Sequence, residues 1–304
     1  MKNTINYFYN LYPENIHQNE KQYKFKINNN KYVFLPCYRP ENEIKELQIL
    51  SATLFSQGIY FHQIISNKDS SVVTFVNNIP YVLLQIYIDD NRQVTFEDLI
   101  WFSKIKIPLT NELLKKDKWF LLWSEKIDYF EYQVNQFGKS FPLIRESFSY
   151  FVGLAEIGIS FLKNNNTSNE KTLSLSHGRI KSENTLFDLY NPLNFIIDSK
   201  IRNFCEYFKD YFFKGNNIAE DFFYYISTLG LNYTDYILLY ARMLFPTFYF
   251  DVYELIIHGY IPEKELLKII QKVDEYEVFL KRLHNYLKQF VAIPDIEWLS
   301  KINT

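Results

Sequence analysis

At 304 residues, with 47% hydrophobic and 22% charged side chains, the chain is long enough for one large domain or two lobes around a substantial core. A formal net charge of −2 excludes a global electrostatic case for binding nucleic acid or an anionic membrane. Aromatics reach 19%, and the enrichment in Tyr, Phe, Ile, Asn and Lys is first of all the signature of an AT-rich genome, and only then of a sticky surface.

Met1 to Glu14 holds no continuous apolar stretch of the signal-peptide kind, so none is expected. No run of about 18 apolar residues occurs. Leu231–Phe250 comes nearest, and Asp235 and Arg242 interrupt it. Cys37 and Cys205 lie far apart without C-x-x-C or histidine-rich company, which supports neither a disulfide framework nor a zinc site.

In chain order, Tyr23–Ile27 alternates polar and apolar residues, the period of a half-buried strand. Asn28-Asn-Asn30 turns the chain, and Tyr32–Leu35 returns as the second arm of a hairpin. Pro40 opens a helix with Glu41 and Glu43 in its first turn and Gly58 just past its end. Ile44, Leu47, Leu50 (or Ser51) and Leu54 share one face of it. Phe61–Ile65, Ser71–Val76 and Tyr81–Ile88 read as short strands, with Asn77-Asn78 as a turn and Asp89–Arg92 as a connector.

From Phe96 onward the pattern is helical. Asn111–Tyr132 is amphipathic, with Lys115–Lys118 expected as a solvated helix face, and Pro142–Lys163 is apolar over much of its circumference. Asn164–Asn169 reads as a polar loop; His177–Asp198 reads as loop, strand, turn and strand. Ile201–Lys214, Ile218–Leu229, Tyr233–Leu244, Tyr249–His258 and Glu263–Phe290 complete a helical half.

The chemistry-bearing stretch is His177-Gly178-Arg179, with Asn184 five residues beyond Arg179 and Asp198 ending a short apolar strand. Kinase-type sites use H-x-D-x-x-x-x-N, in which the Asp orients or deprotonates the acceptor hydroxyl and the Asn holds Mg²⁺. Here the His, the spacing and the Asn stand, Arg179 replaces the Asp, and Asp198 takes the place of the metal-binding Asp of D-F-G.

The His-Gly variant of this motif resembles that of aminoglycoside and choline phosphotransferases. A second segment, Tyr240-Ala-Arg242-Met-Leu-Phe245-Pro246 followed by Tyr249-Phe250-Asp251, resembles the Arg-x-Leu-Phe-Pro…Tyr-Phe stretch of YutH-type spore coat proteins, a branch of the CotS-type kinase-like group. The motif-level likeness covers roughly residues 145–255, and the order of elements extends it over most of the chain.

The resemblance implies an α+β, two-lobed protein-kinase-like fold. Residues 1–88 would form the sheet-bearing upper lobe and 89–304 the helical lower lobe. It also implies a component of the bacterial endospore coat, made in the mother-cell cytoplasm and deposited on the spore. Its partners would be other coat proteins, without nucleic acid or membrane insertion.

Within that frame His177 supports the loop, Asn184 and Asp198 hold any Mg²⁺, and Asp198 has Arg179 as the slightly favoured partner. The departures point away from phosphotransfer. No glycine precedes Gly58, so no Gly-rich loop cradles phosphates, and Val33–Pro36 offers no lysine to a cleft. Lys31 reads as a solvated turn residue, and Glu43 and Glu46 as surface charges without a lysine partner. Arg242, in an apolar helical stretch, reads as a buried anchor paired to an acid or to carbonyls. His17, His62, His258 and His284 show no metal-ligand spacing.

The expectation is a catalytically degenerate scaffold needing no cofactor. The alternatives are a divergent small-molecule phosphotransferase using Mg²⁺ and ATP, or an inert module sensing a nucleotide or sugar.

Overall fold

The computed structural model describes residues 1–107, 112–165, 173–216 and 218–302. Helix α1 (Lys2–Tyr9) precedes strands β1 (Ile16–Asn19), β2 (Gln22–Ile27) and β3 (Asn30–Pro36). Then come helix α2 (Glu41–Ser56) and strands β4 (Gln63–Ile65), β5 (Thr74–Val76) and β6 (Ile79–Ile86). The sheet runs β1-β2-β3-β6-β4, with β5 also on β6, and all its pairs are antiparallel.

Alternation along the strands gives the sheet two buried faces. Val33, Val82 and Leu84 meet Ile44, Leu47 and Leu54 of α2 in the main core. Tyr32, Phe34, Tyr81 and Leu83 face the other way and pack with Ile5 of α1. The α2 face matches the sequence pattern, and Gly58 past its end has φ +86°, where a side chain would be strained. Asn77 and Asn78 both have positive φ, as the tight two-residue turn between β5 and β6 requires.

The lower half contains α3 (Phe96–Ser103), α4 (Trp119–Phe137), α5 (Pro142–Asn164), β7 (Leu173–His177), α6 (Leu186–Leu189) and β8 (Phe195–Ser199). It continues with α7 (Arg202–Phe213), α8 (Ala219–Thr228), α9 (Tyr233–Leu244), α10 (Thr247–Ile257), α11 (Leu267–Ile270), α12 (Val273–Leu287) and α13 (Glu297–Ser300). Gly158 of α5 lies so close to α9 that a Cβ there would sit 3.0 Å from the Ala241 carbonyl. No helix among the described residues is long and apolar enough to cross a membrane.

Three local expectations are corrected. The segment before β8 is not strand and turn only: Thr185 and Asp188 form a reciprocal capping box that nucleates α6. Lys115–Lys118 is not a helix face. Its backbone runs beside β8, with Lys116 N–H donating to the Ile197 carbonyl at 2.9 Å, and α4 starts only at Trp119. The expected single helix from Glu263 is broken between α11 and α12, and α1 and β1 were not anticipated. Most of the expected loop over 164–169 lies outside the described residues, as does Asn111.

The two halves share one continuous apolar core. Phe61 packs edge-on to Phe102 and Phe195 at ring distances of 5.8 and 4.8 Å. The connector after β6 lies against the motif loop: Val94 N–H donates to the Asn184 carbonyl and Leu186 N–H to that of Arg92, both at 2.9 Å.

Candidate functional site

Strand β7 delivers His177 into the interior, where it is 3% exposed. Its N–H donates to Asn203 Oδ1 at 2.9 Å, and its ring Nδ1 accepts the Arg179 N–H at 3.2 Å. Burial pulls the imidazole down to about 4, so it is neutral at pH 7 and holds the turn as an acceptor. Asn184 closes the other end of that turn. Its Oδ1 accepts the Lys181 N–H at 2.6 Å, and its own N–H returns to the Lys181 carbonyl. Both residues thus shape the loop.

Asp198, at the end of β8, is fully buried and surrounded by donors. Oδ1 accepts Trp119 Nε1 at 2.9 Å and the Ser199 N–H at 2.7 Å. Oδ2 accepts Arg202 Nη1 at 2.9 Å and shares the indole at 3.1 Å. The partner expected from the sequence, Arg179, is not among them: it is exposed and lines a neighbouring cavity. The reason is local geometry. Asp198 and Arg202 stand four residues apart where β8 passes into α7, and Arg202 is fixed on its far side by donating to the Gly178 carbonyl at 2.8 Å.

Burial raises the Asp198 carboxyl, opposed by the charges of Arg202 and Arg242 and by the Ser199 and Trp119 donors. Burial also pulls Arg202 down. A guanidinium stays charged in a protein, however, and protonating Asp198 would strand a buried cation, so the pair stays ionic.

Around this pair lies a buried charge cluster. Arg242 is 3% exposed and donates through Nε to Glu206 Oε1 at 2.6 Å, which agrees with its reading as a buried anchor. Its guanidinium lies 4.6 Å from the Trp119 ring centre and 5.3 Å from that of Trp123, a desolvated cation–π arrangement. Lys209 is 1% exposed and donates to the carbonyls of Arg242 and Phe245 and to Glu206. Against the upward push of burial, Lys209 and Arg242 hold the Glu206 carboxyl well below the usual carboxylate range.

In the upper half, Lys31 is solvated as expected, but it lies in β3 rather than in the turn and pairs with Asp89 at 2.6 Å. Glu43, expected as a surface charge, is half-buried. Its Oε2 accepts both Arg39 Nη2 (2.7 Å) and Nε (3.0 Å), and Lys116 approaches Oε1 at 3.4 Å. Arg39 extends the link downward, donating from Nη1 to the carbonyls of Leu193 and Phe195. Glu46 is half-buried on the same helix. Cys37 and Cys205 are separate free thiols, both buried.

As arranged, these side chains do not suit Mg²⁺, which needs open oxygen ligands in an octahedral shell. Both Asp198 oxygens are occupied by donors, one of them a cation, and one lone pair of the Asn184 oxygen is engaged by a backbone N–H. Among the described residues no group of three or more His, Cys, Asp or Glu side chains could hold a metal ion.

Comparison with known proteins decides the family. A model described as "Spore coat putative kinase YutH" matches residues 2–283. The chain belongs to this family. A curated YutH relative, the endospore coat-associated protein of Bacillus subtilis (strain 168), is 23% identical over 99% of this chain and 98% of its own length.

The fold of this YutH-family chain is that of aminoglycoside phosphotransferase-like kinases. An aminoglycoside phosphotransferase from Alicyclobacillus acidocaldarius superposes with a TM-score of 0.66 at 9% identity, covering 95% of this chain and 97% of that one. A spectinomycin phosphotransferase bound to ADP and spectinomycin gives 0.58 at 13% identity, covering 95% and 98%. At these identities the likeness concerns the fold alone.

Within the YutH frame, the residues that sequence reading missed are Trp119, Arg202, Arg39, Glu206 and Lys209. Arg202 carried a local signal, its i+4 spacing from Asp198. Trp119 carried none, being 79 residues from the carboxylate it caps.

Proposed function

We propose that this YutH-family protein serves the endospore coat without transferring phosphate, as a structural or scaffolding component. The supporting observation is Asp198: the carboxylate in the metal-ligand position is buried and saturated by Trp119, Arg202 and the Ser199 N–H. Arg179 in the position of the catalytic Asp, and the lack of a lysine in β3 beyond the Asp89-paired Lys31, support the same reading. An arginine offers no proton acceptor at physiological pH. On this reading the protein needs neither Mg²⁺ nor ATP. Its partners are other coat proteins, and it is made in the mother-cell cytoplasm before deposition on the spore.

The test is transfer of labelled γ-phosphate from ATP with Mg²⁺ to aminoglycosides, choline, sugars and coat-protein extract. The expected result is no signal above a heat-killed control. Transfer that disappears in Asp198→Ala would overturn the proposal.

A further inference from the structure

A cavity of about 300 Å³ opens beside the Asp198 cluster, between α4, the 178–181 turn, α7 and the start of α10. Seven lysine and arginine side chains line it against three carboxylates, in a chain whose net charge is −2. Two of these cations have a carboxylate just outside the lining, Arg202 with Asp198 and Lys126 with Glu254, and the other carboxylates in and around it are mostly shared. Glu206 answers both Lys209 and Arg242, and Glu43 answers both Arg39 and Lys116. Burial raises the Asp251 carboxyl, and the charges of Arg179, Lys126 and Lys181 oppose that rise. Only at the Asp210 edge does the balance reverse, where Lys214 faces Asp210 and Glu183.

Two of the cations answer Asp251 by charge alone. Neither the Arg179 nor the Lys181 side chain makes a hydrogen bond among the described residues, although their backbones are fixed by His177 and Asn184. The apolar lining includes Leu122 and Phe248, which keep exposed surface, beside Trp123 and Phe245, which are nearly buried and stacked on each other at 4.2 Å.

We infer that this cavity is a binding site for a small organic oxyanion, a phosphate or carboxylate carried on an apolar body. The planar guanidinium fork of Arg179 matches either oxyanion, and Lys181 adds a point charge. Leu122 and Phe248 take the apolar part, and the volume stands at the lower end of ordinary small-molecule sites. The same charges exclude polyamines and other cationic substrates. Because it concerns binding alone, the proposal stands whether or not the chain transfers phosphate.

The test is calorimetric titration of the full chain at 0.15 M ionic strength with phenyl phosphate, benzoate, inorganic phosphate and spermine. Phenyl phosphate or benzoate is expected to bind saturably, and whichever is tighter identifies the oxyanion. Inorganic phosphate is expected to bind more weakly, and spermine not at all. A charged hydrogen bond contributes about 1.5–3 kcal/mol, so Arg179→Glu with Lys181→Glu is expected to weaken binding by about 100-fold or more.

The remote pair Lys264→Glu with Lys268→Glu makes the same change in net charge and is expected to leave affinity within about two-fold. Lys181→Ala, a milder change, is expected to weaken binding about ten-fold and serves if the double variant fails to fold. Absence of saturable binding by either aromatic oxyanion would overturn the proposal. So would unchanged binding in the cavity variants, or an equal loss in the remote pair.

Discussion

The indole Nε1 of Trp119 lies 2.9 Å from one oxygen of Asp198 and 3.1 Å from the other, so a side chain from the start of α4 caps the carboxylate that ends β8. The cap is held from behind, because Arg242 stacks on the same indole while pairing with Glu206. A position that would have to be open for metal chemistry is therefore part of the core.

Trp119→Phe keeps most of the ring and removes the one donor. Leaving a buried carboxylate short of a partner costs about 1–3 kcal/mol. Urea unfolding should show a loss of that size. A loss below about 0.5 kcal/mol would mean that water or another donor replaces the indole.

Arg242→Ala is expected to be harsher, because it strips one partner from a pair that is almost fully enclosed. The expected loss is about 3–5 kcal/mol, and Glu206→Gln should lose less. In a double-mutant cycle the two changes should be strongly non-additive, since both end the same interaction. Additivity would show that Glu206 is held by Lys209 and Thr247 alone.

Three histidines are buried, and two of them, His62 and His177, carry the larger pH response. Burial lowers both His62 and His177 to about 4, whereas an unfolded histidine titrates near 6.5. Between those values the unfolded chain binds more protons, so stability is complete above about pH 6.5 and falls as the pH drops towards 4. Each site is worth about 3 kcal/mol over that window. Denaturant midpoints between pH 7 and 4.5 should decline accordingly, and His177→Asn should flatten the slope. A pH-independent midpoint would contradict the burial of both rings.

Arg39 ties α2 to the motif strand through Glu43 and the carbonyls of Leu193 and Phe195. Arg39→Lys keeps the charge but not the fork, and is expected to lose about 2 kcal/mol. Hydrogen exchange should then rise in both α2 and residues 193–195. A rise in α2 alone would show that the link between the halves is carried by the Phe61 contacts instead.

Much of the architecture is legible from the residues. The α2 face is written in Ile44, Leu47, Leu50 and Leu54, and the β5–β6 turn in two adjacent asparagines that tolerate positive φ. Local patterns fail where tertiary contacts decide. Helix α1 is eight residues long with no side-chain cap, and it packs through Ile5 and the Tyr9–Phe34 ring pair.

The charged cluster was hidden for a related reason. A lysine in a helix such as α7 reads as solvated, yet Lys209 is buried because two carbonyls and Glu206 satisfy its ammonium. Arg179 was the nearest conspicuous cation to the motif. Only the turn from β8 into α7 brings Arg202 to the carboxylate first.

Family membership makes location checkable as well. A fluorescent fusion is expected to appear in the mother cell and then on the spore surface. Even fluorescence in vegetative cells, with none on spores, would contradict a coat role.

The most direct measurement is calorimetric titration of the wild-type protein with ATP, with and without millimolar Mg²⁺. With Asp198 capped by Trp119 and paired to Arg202, added Mg²⁺ is expected to produce no binding heat and no tightening of any ATP signal. Saturable ATP binding that strengthens with Mg²⁺ and is lost in Asp198→Asn would show that the carboxylate opens to metal, and would contradict the account.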